Sequence, residues 1–282
     1  ITTGSQNTLI GGLVGDALTT GIHNVALGYA SLTTDTKGSA SVAVGNEALS
    51  TQNFTTATDT YNTAVGDQAG KAITTGKQNT VIGGVTGDAI TTGDNNTAVG
   101  VSAMGGGSGN TTGDDNSCYG NAAGFNLTSG TNNTLIGHDA GRTGSPGGVI
   151  TTHSNQINLG DENVSEANIQ VSLTVASDER DKTDFVNLDL GLDFIKALEP
   201  VTYYWDKRSK YGDKYAEDYD LNAQTPDGTH KEDWMDIGFK AQAVRDLEEA
   251  AGYTAAAKKN LTVSLTEDGK QYGLKYEKFI PI

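Results

Sequence analysis

Ser177 and Lys182 stand five residues apart in the string Ser-Asp-Glu-Arg-Asp-Lys, and their types suit nucleophilic catalysis. A serine hydroxyl attacks a carbonyl only when a base takes its proton. A lysine amine can be that base once burial brings its pKa from about 10.4 to about 7–8. Spacing decides whether the two can meet. On a regular helix their side chains diverge by about 140°, and on a strand they face opposite sides. The pair works only if residues 178–181 make a turn, or if packing between chains supplies the geometry. Without further context a Ser and a Lys at this spacing read as a charged turn.

Other chemistry-bearing residues offer less. Cys118 is the single cysteine, which excludes an intrachain disulfide and a Cys-based zinc cluster. It falls where neighbouring repeats carry Ala or Leu, so a small buried apolar role is expected. Asp114-Asp115 and Asp161-Glu162 are adjacent carboxylates. Glycan hydrolysis needs a pair about 5–10 Å apart in a groove, and neighbours on an extended strand face opposite ways. A calcium-loaded roll would show a glycine-aspartate nonapeptide, which is absent. No metal and no cofactor is expected. The net charge of −16 argues against a nucleic-acid surface, which needs clustered Lys and Arg. No run of 18 apolar residues occurs, so no membrane insertion is expected.

The elements that must position the pair divide at about residue 170. Residues 1–170 are rich in Gly, Thr, Asn and Ala, and residues 171–282 hold both tryptophans and most of the charge. The first part repeats. A glycine closes each Asn-Thr-apolar-apolar-Gly string at Gly11, Gly28, Gly45, Gly66, Gly83, Gly100, Gly120, Gly137 and Gly160, mostly 17 residues apart. Seventeen residues suffice for two short strands and two turns, one rung of a parallel β-solenoid of β-roll type. Asn at the first position (Asn7, Asn24, Asn62, Asn79, Asn96, Asn116, Asn133) should stack as an amide ladder at about 4.8 Å. The glycine permits a positive φ or a close backbone approach. The fourth position (Ile10, Leu27, Val44, Val65, Ile82, Val99, Tyr119, Ile136) is expected to fill the interior. The third, often Ala (Ala26, Ala43, Ala64, Ala98), is expected to lie where another surface comes close. Alternation sends the two to opposite faces, so one meets a partner chain and an oligomer follows. Three inserted loops, at 46–61, 104–116 and 141–156, are where contacts to a receptor are expected.

Residues 171–282 read as an α+β domain. Leu188, Leu192, Ile195 and Leu198 fall at helical spacing, and Pro200 ends that helix. A strand is expected over Val201 to Trp205, a polar loop over 206–233, and a helix from Gln242 to Ala251 stopped by Gly252. Leu261 to Leu265 and Tyr272 to Tyr276 should pair as a hairpin around Asp268-Gly269. Tyr203, Tyr204, Trp205 and Trp234 are expected in a core or an interface rather than as a sugar platform.

The string Ser-Asp-x-Arg-x-Lys, followed by Asp184, resembles the start of the endosialidase-type intramolecular chaperone, the S74 peptidase family. Three further stretches match in order: Leu192-Asp193-Phe194-Ile195-Lys196-Ala197-Leu198-Glu199-Pro200-Val201, then Ile237-Gly238-Phe239-Lys240-Ala241-Gln242-Ala243-Val244, then Tyr276-Glu277-Lys278-Phe279-Ile280-Pro281. The repeats resemble the heads of trimeric autotransporter adhesins and the shafts of phage fibres. The resemblance implies a homotrimeric tail fibre or tail spike, located in the virion and attaching to a host cell-surface receptor, a glycan. Its chaperone would direct folding and then release itself. Ser177 is by this resemblance the nucleophile and Lys182 the general base, and the scissile bond is placed at Ala176–Ser177. The family usually continues beyond the Ile-Pro motif into a long helix, so the chain reads as part of a longer protein. No family histidine role is carried onto His230. A spike whose shaft degrades glycans, and a bacterial trimeric adhesin, are the alternatives.

Overall fold

The structure is a computed structural model that describes every residue except Ser108, Glu217, Lys258 and Pro281. Pro281 of the Ile-Pro motif, Ser108 of the second inserted loop and Glu217 of the polar loop thus lie outside the described residues. The chain forms two compact units, Ile1–Asn163 and Val164–Ile282.

The first unit is a parallel β-solenoid. Its strands are β1 (Thr8–Ile10), β2 (Val25–Leu27), β3 (Gly38–Ser39), β4 (Val42–Val44), β5 (Thr58–Asp59), β6 (Thr63–Val65), β7 (Thr80–Ile82), β8 (Thr97–Val99), β9 (Ser117–Tyr119), β10 (Thr134–Ile136) and β11 (Ile157–Leu159). Nine of them stack in chain order into one parallel sheet, and β3 pairs β5 separately. The register sets equivalent repeat positions side by side, as in Thr80↔Thr97, Val81↔Ala98 and Ile82↔Val99. Each corner glycine from Gly11 to Gly120 has φ between +131° and +141°. A Cβ on Gly66 would sit 2.6 Å from the carbonyl carbon of Gly83 in the next rung, so the corner accepts no side chain.

The two apolar positions are inverted relative to expectation. The third position is the interior: Ala26, Ala43, Ala64, Val81, Ala98, Cys118 and Leu135 are fully buried. The fourth faces outward, with Ile10, Leu27, Val65, Ile82, Tyr119 and Ile136 exposed by 36% to 58%. The physical reason is the narrow lumen. Interior space is shared with Leu18, Ile73, Ile90, Leu127 and Ile150 from the rest of each rung, so the strand side takes Ala at four rungs and Val81, Cys118 or Leu135 at others. The fourth side chains, none smaller than Val, point away from the chain's own core.

The asparagine ladder forms, and it grips backbone as much as neighbouring amides. Each Oδ1 accepts the next rung's backbone N–H at 2.9–3.1 Å, from Asn24 on Asn7 through Gln156 on Asn133. Each Nδ2 donates to a carbonyl at the neighbouring turn, as Asn79 does to Gly93 at 2.8 Å and Asn116 to Gly130 at 2.9 Å. The third rung has Ser41 instead of Asn. There Gln52 Nε2 donates to Ser41 Oγ (2.9 Å) and Asp35 Oδ2 (2.6 Å), while Gln52 Oε1 accepts from Asn62 Nδ2 (2.8 Å). Leu32 and Leu49 are fully buried in the same rungs, so aliphatic volume moves to one side and a satisfied polar group occupies the other. The first inserted loop is thereby folded inward: Gln52, Phe54 and Thr60 are buried, and its exposed tip is residues 55–57.

The second unit is a small α/β region. It contains α1 (Leu192–Ala197), β12 (Val201–Tyr204), β13 (Met235–Gly238), α2 (Ala241–Ala250), β14 (Val263–Leu265) and β15 (Tyr272–Leu274). β12 pairs β13, and β14 pairs β15 in the expected hairpin, both antiparallel. The first helix is shorter than its periodicity suggests. Leu188 precedes it, and Gly191 at φ −139° supplies an extended N-terminal flank. β13 was not anticipated, because Met-Asp-Ile-Gly, just beyond the polar loop, is too short an alternation to signal a strand until β12 gives it a partner. Under α2 the buried Glu248 accepts from Thr262 N at 2.7 Å and Thr262 Oγ1 at 2.5 Å, tying the approach to β14.

Candidate active site

The Ser-Asp-Glu-Arg-Asp-Lys string makes the turn that its chemistry requires. Glu179–Asp181 is a 3-10 helix, and Asp178 is its N-cap in extended conformation. Asp178 Oδ1 accepts from Arg180 N at 2.9 Å, satisfying a donor that a short helix leaves open. The same carboxylate holds the guanidinium in a fork, Oδ1 to Nε at 3.0 Å and Oδ2 to Nη2 at 2.6 Å. That pairing with Arg180 keeps the Asp178 carboxyl below its usual range. The turn closes with Asp181 N donating to Asp178 O (3.2 Å) and Lys182 N to Glu179 O (3.1 Å).

Lys182 returns across this turn onto the serine. Its Nζ lies 2.5 Å from Ser177 Oγ and 3.2 Å from Ser177 O. An amine that donates one hydrogen to the carbonyl retains, when neutral, a lone pair for the hydroxyl proton. Residues 176–183 are exposed in the single chain, so the bond between the two side chains is made by local geometry and not by burial.

The remaining candidates are placed as follows. Cys118 is buried between Ala98 and Leu135 in the sheet register, and burial pushes its thiol up to about 12. Asp161 and Glu162 are both buried, which removes that pair from any open groove. Among the aromatics, the core expectation fails within the chain: Trp234 is 76% exposed, and Trp205 and Tyr204 are also exposed. Tyr203 is half-buried, donates to Asp236 Oδ2 at 3.2 Å, and has its phenol pushed up to about 12 by burial and then by the Asp236 charge. Trp205 Nε1 donates to the same oxygen at 3.3 Å.

One cluster was missed. His138, Asp139 and Asp161 each present a ligand-type atom within 4.8 Å of the others. The register could have revealed it, because the 23-residue step from Gly137 to Gly160 also sets His138 beside Asp161. Arg142 Nη1 grips Asp139 at 3.0 Å, and Asn163 donates twice to Asp161, so the cluster is knit as a polar closure of the last rung.

The chain is thus a parallel solenoid of short stacked rungs followed by a small α/β region that contains the Ser177–Lys182 turn. Residues 177–253 match the family described as chaperone of endosialidase, Peptidase_S74. The chain thus carries an endosialidase-type chaperone domain after its repeat region. The match begins at Ser177 itself and spans α1 and α2. Domains of this kind support trimer folding in phage tail proteins and are of the self-cleaving serine peptidase type. No curated protein and no solved structure matches the chain significantly. Among the described residues, no helix is long and apolar enough to cross a membrane.

Proposed function

We propose that this chain is a homotrimeric viral tail fibre or spike protein. Its solenoid is the shaft that meets a host surface glycan, and its second unit is a chaperone that releases itself once. The observation that carries the self-release is the 2.5 Å approach of Lys182 Nζ to Ser177 Oγ across the 179–181 turn.

The chemistry follows from that contact. Once packing between chains buries the turn and leaves the amine deprotonated, Lys182 takes the proton of the Ser177 hydroxyl, and Oγ attacks the carbonyl carbon of Ala176. The tetrahedral intermediate expels the Ser177 amine, which receives the proton back from the lysine. The chain is then joined through an ester between Ala176 and Ser177 Oγ. Water hydrolyses that ester, leaving a carboxylate on Ala176 and a free hydroxyl on Ser177. Nucleophile and base are thus adjacent to the bond they cut, which supplies the proximity term of catalysis.

Two features support the rest of the reading. The outward apolar row of the solenoid gives each chain a face for its neighbours, as a trimer requires. The exposed loop tip at 55–57 offers sites that vary without disturbing the stack.

Mass spectrometry of the expressed chain tests the proposal. Cleavage between Ala176 and Ser177 is expected in the parent. Ser177→Ala and Lys182→Arg should both give intact trimers, because Arg keeps the charge and cannot act as a base at neutral pH. Parental cleavage in Lys182→Arg would reject the dyad.

A further inference from the structure

We propose that Asp178 is the positioning residue of the Ser177–Lys182 pair, its carboxylate holding the bend that sets the lysine amine against the serine hydroxyl. This deepens the Ser–Lys reading above and rests on it.

The bend has little else to hold it. The 179–181 helix buries no side chain, and its backbone contributes only the bonds from Asp181 N and Lys182 N. Fully extended, the five residues from Ser177 to Lys182 would span roughly 17 Å, so the two side chains meet only while the turn persists. Asp178 accepts three bonds into this turn, one from the Arg180 backbone and two from its guanidinium. The backbone bond starts the turn, and the fork locks the side chain that starts it. The last bond of the turn, Lys182 N to Glu179 O, then fixes where the lysine side chain departs. The carboxylate is directed at Arg180, whereas the lysine amine is bonded to the two oxygens of Ser177. Asp178 therefore acts on the lysine through the backbone.

The roles of cap and fork can be separated. Asp178→Ala removes both, Asp178→Asn keeps an acceptor for the Arg180 N–H, and Arg180→Ala keeps the cap alone. Self-cleavage of the full chain is followed by mass spectrometry across pH, with trimer content measured by light scattering. Asp178→Ala should slow cleavage about 10- to 100-fold, the loss expected when a reacting group spends most of its time out of place. Asp178→Asn should restore the rate to within about fivefold of the parent, since Asn caps as well as Asp. Arg180→Ala should fall between the two. The pH midpoint of cleavage should match the parent in Asp178→Asn, where the cap keeps the turn and the amine stays on the two oxygens of Ser177. Parental cleavage by Asp178→Ala, or an Asn variant as slow as the Ala variant, overturns the proposal. So does a shifted midpoint in the Asn variant, which would mean that the Asp178 charge tunes the amine directly. If the Ala variant does not assemble, the Asn variant decides by the same criterion. Lys182→Arg in the same assay separates the two readings. A silent Arg variant beside a fast Asp178→Ala rejects only the positioning role, whereas a fast Arg variant rejects the dyad itself.

Discussion

Arg180 grips the Asp178 carboxylate and holds its carboxyl below the usual aspartate range, and this has a consequence that can be titrated. Its carboxyl lies below the ordinary value of 3.8, chiefly through the side-chain bond from Arg180 and then through the backbone bond. A carboxyl depressed in the folded state stabilises its contact above the unfolded value, and the stabilisation disappears as pH falls through the folded value. The turn should therefore survive mild acid and open only below the usual aspartate range. In a non-cleaving Ser177→Ala chain, the Asp178 carboxyl signal in NMR should titrate below 3.8. Arg180→Ala should raise that midpoint toward 3.8, and an unchanged midpoint would show that the fork does not hold the carboxylate. The pair and its spacing were legible in sequence, and so was the condition that 178–181 must turn. The identity of the cap was not, because an Asp beside a Glu and an Arg can bond in several ways until the backbone is bent.

At the scale of the rung, the asparagine ladder joins sequence to stability. Asn96 Oδ1 accepts from Asn116 N at 3.0 Å and Asn116 Nδ2 at 3.1 Å, while Asn96 Nδ2 donates to Gly113 O at 3.0 Å and Asn79 Oδ1 at 3.2 Å. Asn96→Leu would leave the Asn116 N–H and the Gly113 carbonyl buried without these partners. Buried polar groups deprived of their bonds cost about 1–3 kcal/mol each, so the solenoid should lose roughly 2–6 kcal/mol. Denaturant unfolding should show the lowered midpoint, and a change below about 1 kcal/mol would mean that water or a neighbour replaces the amide. The stacking of these asparagines was evident from their period. Their grip on backbone N–H and C=O groups was not, since period gives which residues are neighbours and not which atoms face. Gln52 shows the limit more sharply. It lies in an inserted loop and outside the repeat string, yet it carries the ladder across Ser41.

At the scale of the molecule, the proposed trimer can be tested on the outward row. Val65 and Ile82 sit in the middle of the solenoid with 36% and 40% exposure, while their strand neighbours Ala64 and Val81 are fully buried. A Val65→Lys, Ile82→Lys chain should keep its own solenoid, because neither side chain enters the core. It should lose the trimer, since charges placed in a packed apolar interface cost several kcal/mol. Light scattering should then report a monomer with the parental β-sheet circular dichroism. A persisting trimer would place the interface elsewhere. Val81→Lys is the contrast: it puts the charge inside the rung and should unfold the solenoid itself.

The repeat period, the parallel stacking, the corner glycines and the Ser–Lys string were all determined by the sequence, because each depends on residue type at a fixed separation along the chain. The direction in which the two apolar positions point was decided only in three dimensions. Alternation requires opposite faces but is symmetric between them, and the choice came from the volume left in the lumen once Ile73, Ile90, Leu127 and Ile150 were packed. The same holds for β13, for the exposed Trp234 and for the His138–Asp139–Asp161 closure. Each arises from which distant segments come to lie side by side, and spacing within one segment carries no record of that.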